Sequence, residues 1–134
     1  MSRSILLADD SAVARRAIRN LVTDRFGDTV TYDETSNGLD ALDKAIVSKP
    51  DVVVLDIAMP GLNGLEAASR ITERCPKTSV LAISNYDVEA IIPRFRQAGI
   101  RGFVSKVSIG FDLIPAIQAL LDGKTYFTGL SVPV

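Results

Sequence analysis

Four apolar runs in this sequence end in groups able to do chemistry. Asp9 and Asp10 follow "SILLA" (4–8), and Asp56 closes "VVVLD" (52–56). Ser84 closes "SVLAIS" (79–84) with Asn85 next, and Ser105 closes "GFVS" (102–105) with Lys106 next. Each has an ordinary explanation when taken alone. Adjacent acids after a strand often cap a helix or sit in a solvated loop, Asp56 before Pro60–Gly61 could cap a turn, and a lone lysine usually lies on the surface. Together they raise a sharper question, because a charge at the rim of a core costs free energy unless something pairs with it. Three carboxylates in one crevice repel each other. Their natural counter-ion is a hard divalent cation. Mg2+ accepts one or two carboxylates, keeps several waters and can take a phosphate oxygen. A carboxylate can also act as a nucleophile and form an aspartyl phosphate. A metal and a lysine would neutralise the transferred group, which is most of what phosphoryl transfer requires.

These groups converge only if the elements place them together. The runs at 4–8, 52–56, 79–84 and 102–105 are continuous rather than alternating, as expected for parallel strands covered on both faces. "VTYD" (30–33) is more polar and suits an edge. Between the runs lie helical periodicities. Ala14, Ile18, Leu21, Val22 and Phe26 recur at three- and four-residue spacing, with Gly27 as the stop. Further helices are expected over about 38–47, over about 64–75, from a start near Asp87, and around Leu113, Ile114, Ile117 and Leu121, ending at Gly123. Pro115 is expected in the first turn of the last helix, where N–H groups are unpaired anyway. Five strands alternating with five helices predict a doubly wound α/β domain with a five-stranded parallel sheet, flavodoxin-like. In strand order 2-1-3-4-5 the four strand ends meet at the switch point, where such sheets bind ligands. Asp9 and Asp10 argue against a flavin phosphate after the first strand, which would want N–H donors there.

Composition narrows the function classes. The chain has 134 residues, which fits one domain, and its net charge of -1 gives no global pull toward nucleic acid. It has no histidine, which removes the commonest acid–base catalyst and metal ligand. Its one cysteine, Cys75, excludes an internal disulfide and suits a reducing, cytoplasmic setting. No apolar run approaches the roughly 20 residues needed to span a bilayer, so no membrane role is expected.

The strand-end residues, in this order, resemble the receiver domain of bacterial two-component response regulators. The resemblance covers residues 4 to 123. It rests on "ADDSAVAR", "LDIAMPGLNGLEA", "AIS" and "AGIRGFVSK", while "SNGLDAL" and "GKTYFT" are similar to the NarL/FixJ (LuxR-type) branch. The resemblance implies that Asp56 is the phosphoacceptor for a sensor histidine kinase. It implies Mg2+ held by Asp10, Asp56 and the backbone carbonyl of Ala58, with Asp9 acting through water. Lys106 would pair with the phosphoryl group, Ser84 would move to hydrogen-bond it, and Phe103 would turn inward as the aromatic switch. A homodimer through helix 4–strand 5–helix 5, or through helix 5, is a further implication. Residues 1–123 are expected to form the receiver domain. Residues 124–134 then form a linker or tail toward a helix-turn-helix output domain outside this chain, through which alone DNA would be bound, although "TYFTGL" is apolar enough to pack on the domain. Such a domain is not a separate enzyme and catalyses only its own phosphorylation and dephosphorylation.

Several positions depart from the family pattern. Asn85 stands where a small residue is usual, and with Tyr86 it would shield the phosphoryl group from hydrolysis. Val107 follows the lysine in place of proline or aspartate. Phe103 lacks the commoner tyrosine hydroxyl. Pro93 is expected to kink or shorten helix four. Arg15, Arg16 and Arg19 form either a solvated helix face or a dock for a kinase. The alternative function is a receiver-like dimerisation or scaffold domain that works without phosphorylation.

Overall fold

The apolar runs become the strands of one parallel sheet. The computed structural model describes residues 3–59, 63–85 and 92–127. In chain order these form β1 (Arg3–Ala8), α1 (Ala12–Phe26), β2 (Val30–Thr35), α2 (Gly38–Ser48), β3 (Val52–Asp56) and α3 (Gly64–Arg74). They continue with β4 (Ser79–Ser84), α4 (Ile92–Gln97), β5 (Gly102–Ser105), α5 (Ile109–Leu121) and β6 (Tyr126–Phe127). The sheet order is β2-β1-β3-β4-β5-β6, with every pair parallel. The expected order 2-1-3-4-5 therefore holds, but the sheet has six strands rather than five. Within the segment expected to form a linker or tail, whose apolar "TYFTGL" could pack on the domain, Tyr126 and Phe127 pair with Gly102 and Phe103 of β5.

Strand alternation divides the core into two apolar layers. Val53 and Leu55 of β3 face Ala41 and Ala45 of α2 and Ala67, Ala68 and Ile71 of α3. Val52 and Val54 face the opposite side, with Ile18 and Val22 of α1 and Leu113 and Ile117 of α5. All residues of β3 and β4 are buried, which is why these two strands read as unbroken apolar runs. No described helix is long and apolar enough to cross a membrane.

Side-chain caps start the helices next to the strand ends. The Ala14 N–H donates to Ser11 Oγ at 3.2 Å, the Asp40 N–H to Asn37 Oδ1 at 2.8 Å, and the Leu65 N–H to Asn63 Oδ1 at 2.8 Å. Each satisfies a donor that the first helical turn leaves open. At the other end of α1, Gly27 has φ 53°, a left-handed turn that glycine enters without a Cβ penalty.

One expectation about helices changes, and another falls outside the described residues. α5 begins at Ile109, so Pro115 lies inside it rather than in its first turn. The helix survives the missing N–H because Leu113, Ala116, Ile117 and Leu120 bury one apolar face against the sheet. The residue whose carbonyl would have accepted that N–H, Phe111, is exposed to solvent. Pro93 is the second residue of α4 as described, whereas the start expected near Asp87 lies outside the described residues, as does the Pro60–Gly61 turn.

The loop after β3 is held by close backbone contact. A Cβ on Gly64, at the start of α3, would lie 2.3 Å from the Cα of Ile57. Gly64→Ala should therefore push the Ile57–Ala58 segment away from α3 and destabilise the domain by about 1–3 kcal/mol, the usual cost of overpacking. Urea unfolding followed by circular dichroism measures this; a midpoint equal to wild type would show that the loop yields freely.

Candidate functional site

The register of the parallel strands sets the site. β1 and β3 are neighbours, so Asp9, just past β1, and Asp56, the last residue of β3, lie side by side at the carboxyl end of the sheet. Asp9 is fully buried and Asp56 nearly so. Lys106, just past β5, reaches both: its Nζ lies 2.7 Å from Asp9 Oδ2 and 3.1 Å from Asp56 Oδ2. The remaining oxygens are fixed by backbone donors. The Ser11 N–H donates to Asp9 Oδ1 at 2.9 Å, and the Ala58 N–H donates to Asp56 Oδ1 at 2.9 Å. Lys106 is itself set by a tight turn over Lys106–Ser108, whose Val107 N–H donates to Ser105 Oγ at 3.2 Å.

The electrostatics follow from burial and charge. Burial pushes the Asp9 carboxyl above the ordinary carboxylate range, opposed by Lys106 and the Ser11 N–H and reinforced by the neighbouring charge of Asp56. Burial also pulls Lys106 down, but its hydrogen bonds and charge interactions with Asp9 and Asp56 outweigh this and hold its ammonium above the ordinary lysine value. Asp10, exposed, completes the cluster. Asp9, Asp10 and Asp56 each offer a carboxylate oxygen, all within 4.8 Å of one another. One lysine cannot neutralise three carboxylates. A set of hard oxygen donors with surplus negative charge fits a divalent cation such as Mg2+, and the residues present are suited to hold one.

The other sequence-derived candidates fall around this centre. Ser84, buried at the end of β4, pairs in register with Ser105, and Asn85 follows it exposed. Ala58 is exposed beside Asp56. Phe103 is buried in β5, its ring 5.9 Å from that of Phe95 in α4. Tyr86 lies outside the described residues. Cys75 is buried, its thiol donating to the Ala45 carbonyl at 3.4 Å.

The arginines of α1 do not share one role. Arg15 turns toward the site, where its Nη1 donates to the Asp9 carbonyl at 2.7 Å, and its Nε lies 3.4 Å from Glu34 of β2. Arg19 also meets Glu34, at 3.1 Å. Glu34 was not singled out by sequence reasoning. Its only signal was its place near the end of the polar edge strand.

Comparison with known proteins agrees with this arrangement. The response regulator receiver domain profile matches residues 5–118. The chain is 32% identical over 123 residues to the oxygen regulatory protein NreC of Staphylococcus epidermidis, covering 91% of this chain and 56% of that protein. It is 31% identical over 124 residues to the response regulator GacA of Pseudomonas viridiflava, covering 92% of this chain and 58% of that protein. The chain thus spans little more than half the length of these relatives. Among solved structures, a LuxR-family two-component response regulator from Aurantimonas sp. SI85-9A1 superposes with a TM-score of 0.88 at 28% identity, covering 96% of this chain and 91% of that one.

Lys106→Met should leave the buried Asp9 carboxylate without its cation. Breaking such a pair costs about 3 kcal/mol or more. Mg2+ should restore part of this, so that millimolar Mg2+ raises the melting temperature of the variant by more than it raises that of wild type. Thermal unfolding with and without Mg2+ measures both effects; a variant as stable as wild type in the absence of metal would show that the ion pair contributes little.

Proposed function

The chain belongs to the response regulator receiver domain family, in its LuxR-type branch, and from that premise we propose that Asp56 accepts a phosphoryl group from a sensor histidine kinase. One observation carries the reading. The Asp56 carboxylate is buried at the end of β3 and oriented from two sides, one oxygen on the Ala58 N–H and the other beside Lys106 Nζ. An oxygen of Asp56 attacks phosphorus, an O–P bond forms, and the bond from phosphorus to the donor breaks. The Lys106 ammonium balances the charge gathering on the phosphoryl oxygens. Asp10, Asp56 and the Ala58 carbonyl would hold Mg2+, with Asp9 reaching it through water. When bound, the ion supplies further charge neutralisation at the transferred group. Attack by water reverses the modification, and the domain catalyses no other reaction. Asn85, exposed directly after Ser84, slows that reversal by covering the phosphoryl group.

The same geometry supports a switch. Ser84 and Phe103 lie buried on adjacent strands, β4 and β5, with the Phe103 ring tilted against that of Phe95 in α4. A Ser84 hydroxyl drawn to the new phosphoryl oxygens frees the space into which Phe103 turns, which biases a two-state packing of α4 against β5. The output is a DNA-binding domain beyond this chain, and the setting is the cytoplasm, where a kinase would meet the site. A homodimer through α5 is favoured over one through α4–β5–α5, because β6 already occupies the free edge of β5.

Incubation with Mg2+ and acetyl phosphate, followed by intact-mass measurement, should add one phosphoryl group to wild type and none to Asp56→Asn. An unmodified wild type that nonetheless binds Mg2+ would favour a scaffold role without phosphorylation.

A further inference from the structure

Both main-chain groups of Asp9 are held, one by the end of β2 and the other by Arg15 of α1. The Asp9 N–H donates to the Thr35 carbonyl at 3.1 Å. The Asp9 carbonyl accepts from Arg15 Nη1 at 2.7 Å, and Arg15 Nε lies 3.4 Å from the carboxylate of Glu34, the residue before Thr35. The result is a closed ring from Asp9 to Thr35, back one residue to Glu34, across to Arg15 and back to Asp9. Arg19 braces the far side through its 3.1 Å contact with Glu34, and its guanidinium lies 5.5 Å from the Tyr32 ring centroid. The end of β2 is tied down in turn, since the Thr35 hydroxyl donates to Asp40 in the first turn of α2. Arg15 and Glu34 are both largely covered, with side chains 21% and 27% exposed. Arg15 spans two acceptors with separate nitrogens of one planar fork, a geometry that lysine cannot reproduce.

We infer that Arg15 and Glu34 form a positioning clamp that fixes the Asp9–Asp10 loop in the geometry that Mg2+ binding needs. The inference rests on the metal-dependent phosphoacceptor reading above, and it assigns these residues a role at the site rather than at a docking surface. Neither touches the metal. They act through the main chain of Asp9, as outer-shell partners orient metal ligands.

Electrostatics and positioning predict opposite signs, which makes the clamp testable. Arg15 is a cation near a cluster of acids, so its loss through charge alone would tighten Mg2+ binding. Loss of a clamp weakens it. In isothermal titration calorimetry with MgCl2 on the full chain, Arg15→Ala should weaken binding about tenfold. Arg15→Lys, which keeps the charge and loses the fork, should also weaken it, and this variant decides the matter if Arg15→Ala does not fold. Glu34→Gln should weaken it as well, but there charge and positioning act in the same direction, so the Arg15 variants carry the decision. Arg16→Ala, on the same helix without a contact to the ring, should bind as wild type or more tightly. Amide exchange at Ser11, whose N–H binds Asp9 Oδ1, reports loop order without metal and should quicken in the clamp variants. Mg2+ binding by Arg15→Lys equal to or tighter than wild type, with unchanged Ser11 exchange, overturns the clamp. Wild type that binds Mg2+ but is never labelled by acetyl phosphate overturns the phosphoacceptor reading instead, and leaves the calorimetric comparison to decide the clamp.

Discussion

One ammonium group shared by two buried carboxylates organises this end of the molecule. Asp9 and Asp56 lie at the ends of neighbouring strands, where their charges would repel across a short distance if nothing stood between them. Lys106 comes from β5, which is two strands from β3 and three from β1. At strand spacings of about 4.8 Å the Lys106 backbone starts roughly 10 to 14 Å away along the sheet. A long side chain is needed, and so is a backbone turn that aims it. The Lys106–Ser108 turn supplies the aim, and sheet twist brings the strand ends closer together. Because this contact spans most of the sheet, a one-residue slip of β1, β3 or β5 would turn the charged group to the other face and break it. The strand register and the charge arrangement therefore support each other.

The same economy explains the small residues around the site. α2 and α3 meet the sheet through Ala41, Ala45, Ala67 and Ala68, and α3 begins with Gly64 against Ile57. Larger side chains there would lift the helices and widen the loop that follows β3. Asp56 Oδ1 depends on that loop for the Ala58 N–H. Packing in the adjacent helical layer is thus tied to the orientation of a single carboxylate.

Much of this was legible in the sequence, for a physical reason. β3, β4 and β5 are buried along most of their length, so their ends coincide with the ends of the apolar runs, and the chemical groups at those ends could be read directly. What escaped notice lacked such a pattern. β6 is two residues long, too short to show a period, and becomes a strand only because β5 offers an open edge. Tyr126 then donates its hydroxyl to Asp112 at 2.8 Å, and Phe127 sits 4.4 Å from the Arg96 guanidinium, contacts set by tertiary placement alone. The start of α5 was obscured because Pro115 suggested a first turn, whereas core burial outweighs the local cost of an interior proline.

The three arginines of α1 show the limit of a surface reading most clearly. In sequence they are a basic cluster, and a cluster invites either solvent or a partner. On a helix, residues four apart share a face and residues one apart do not. Arg15 and Arg19 therefore reach the same carboxylate, Glu34, on the adjacent edge strand. Arg16, turned away by one position, is exposed and makes no hydrogen bond or ion pair among the described residues. The cluster divides by helical phase into two residues that brace the acidic loop and one whose charge is free. Phase alone could have separated Arg16 from the other two in the sequence. That the shared face looks onto Glu34 depends on β2 lying beside β1, which only the assembled sheet reveals.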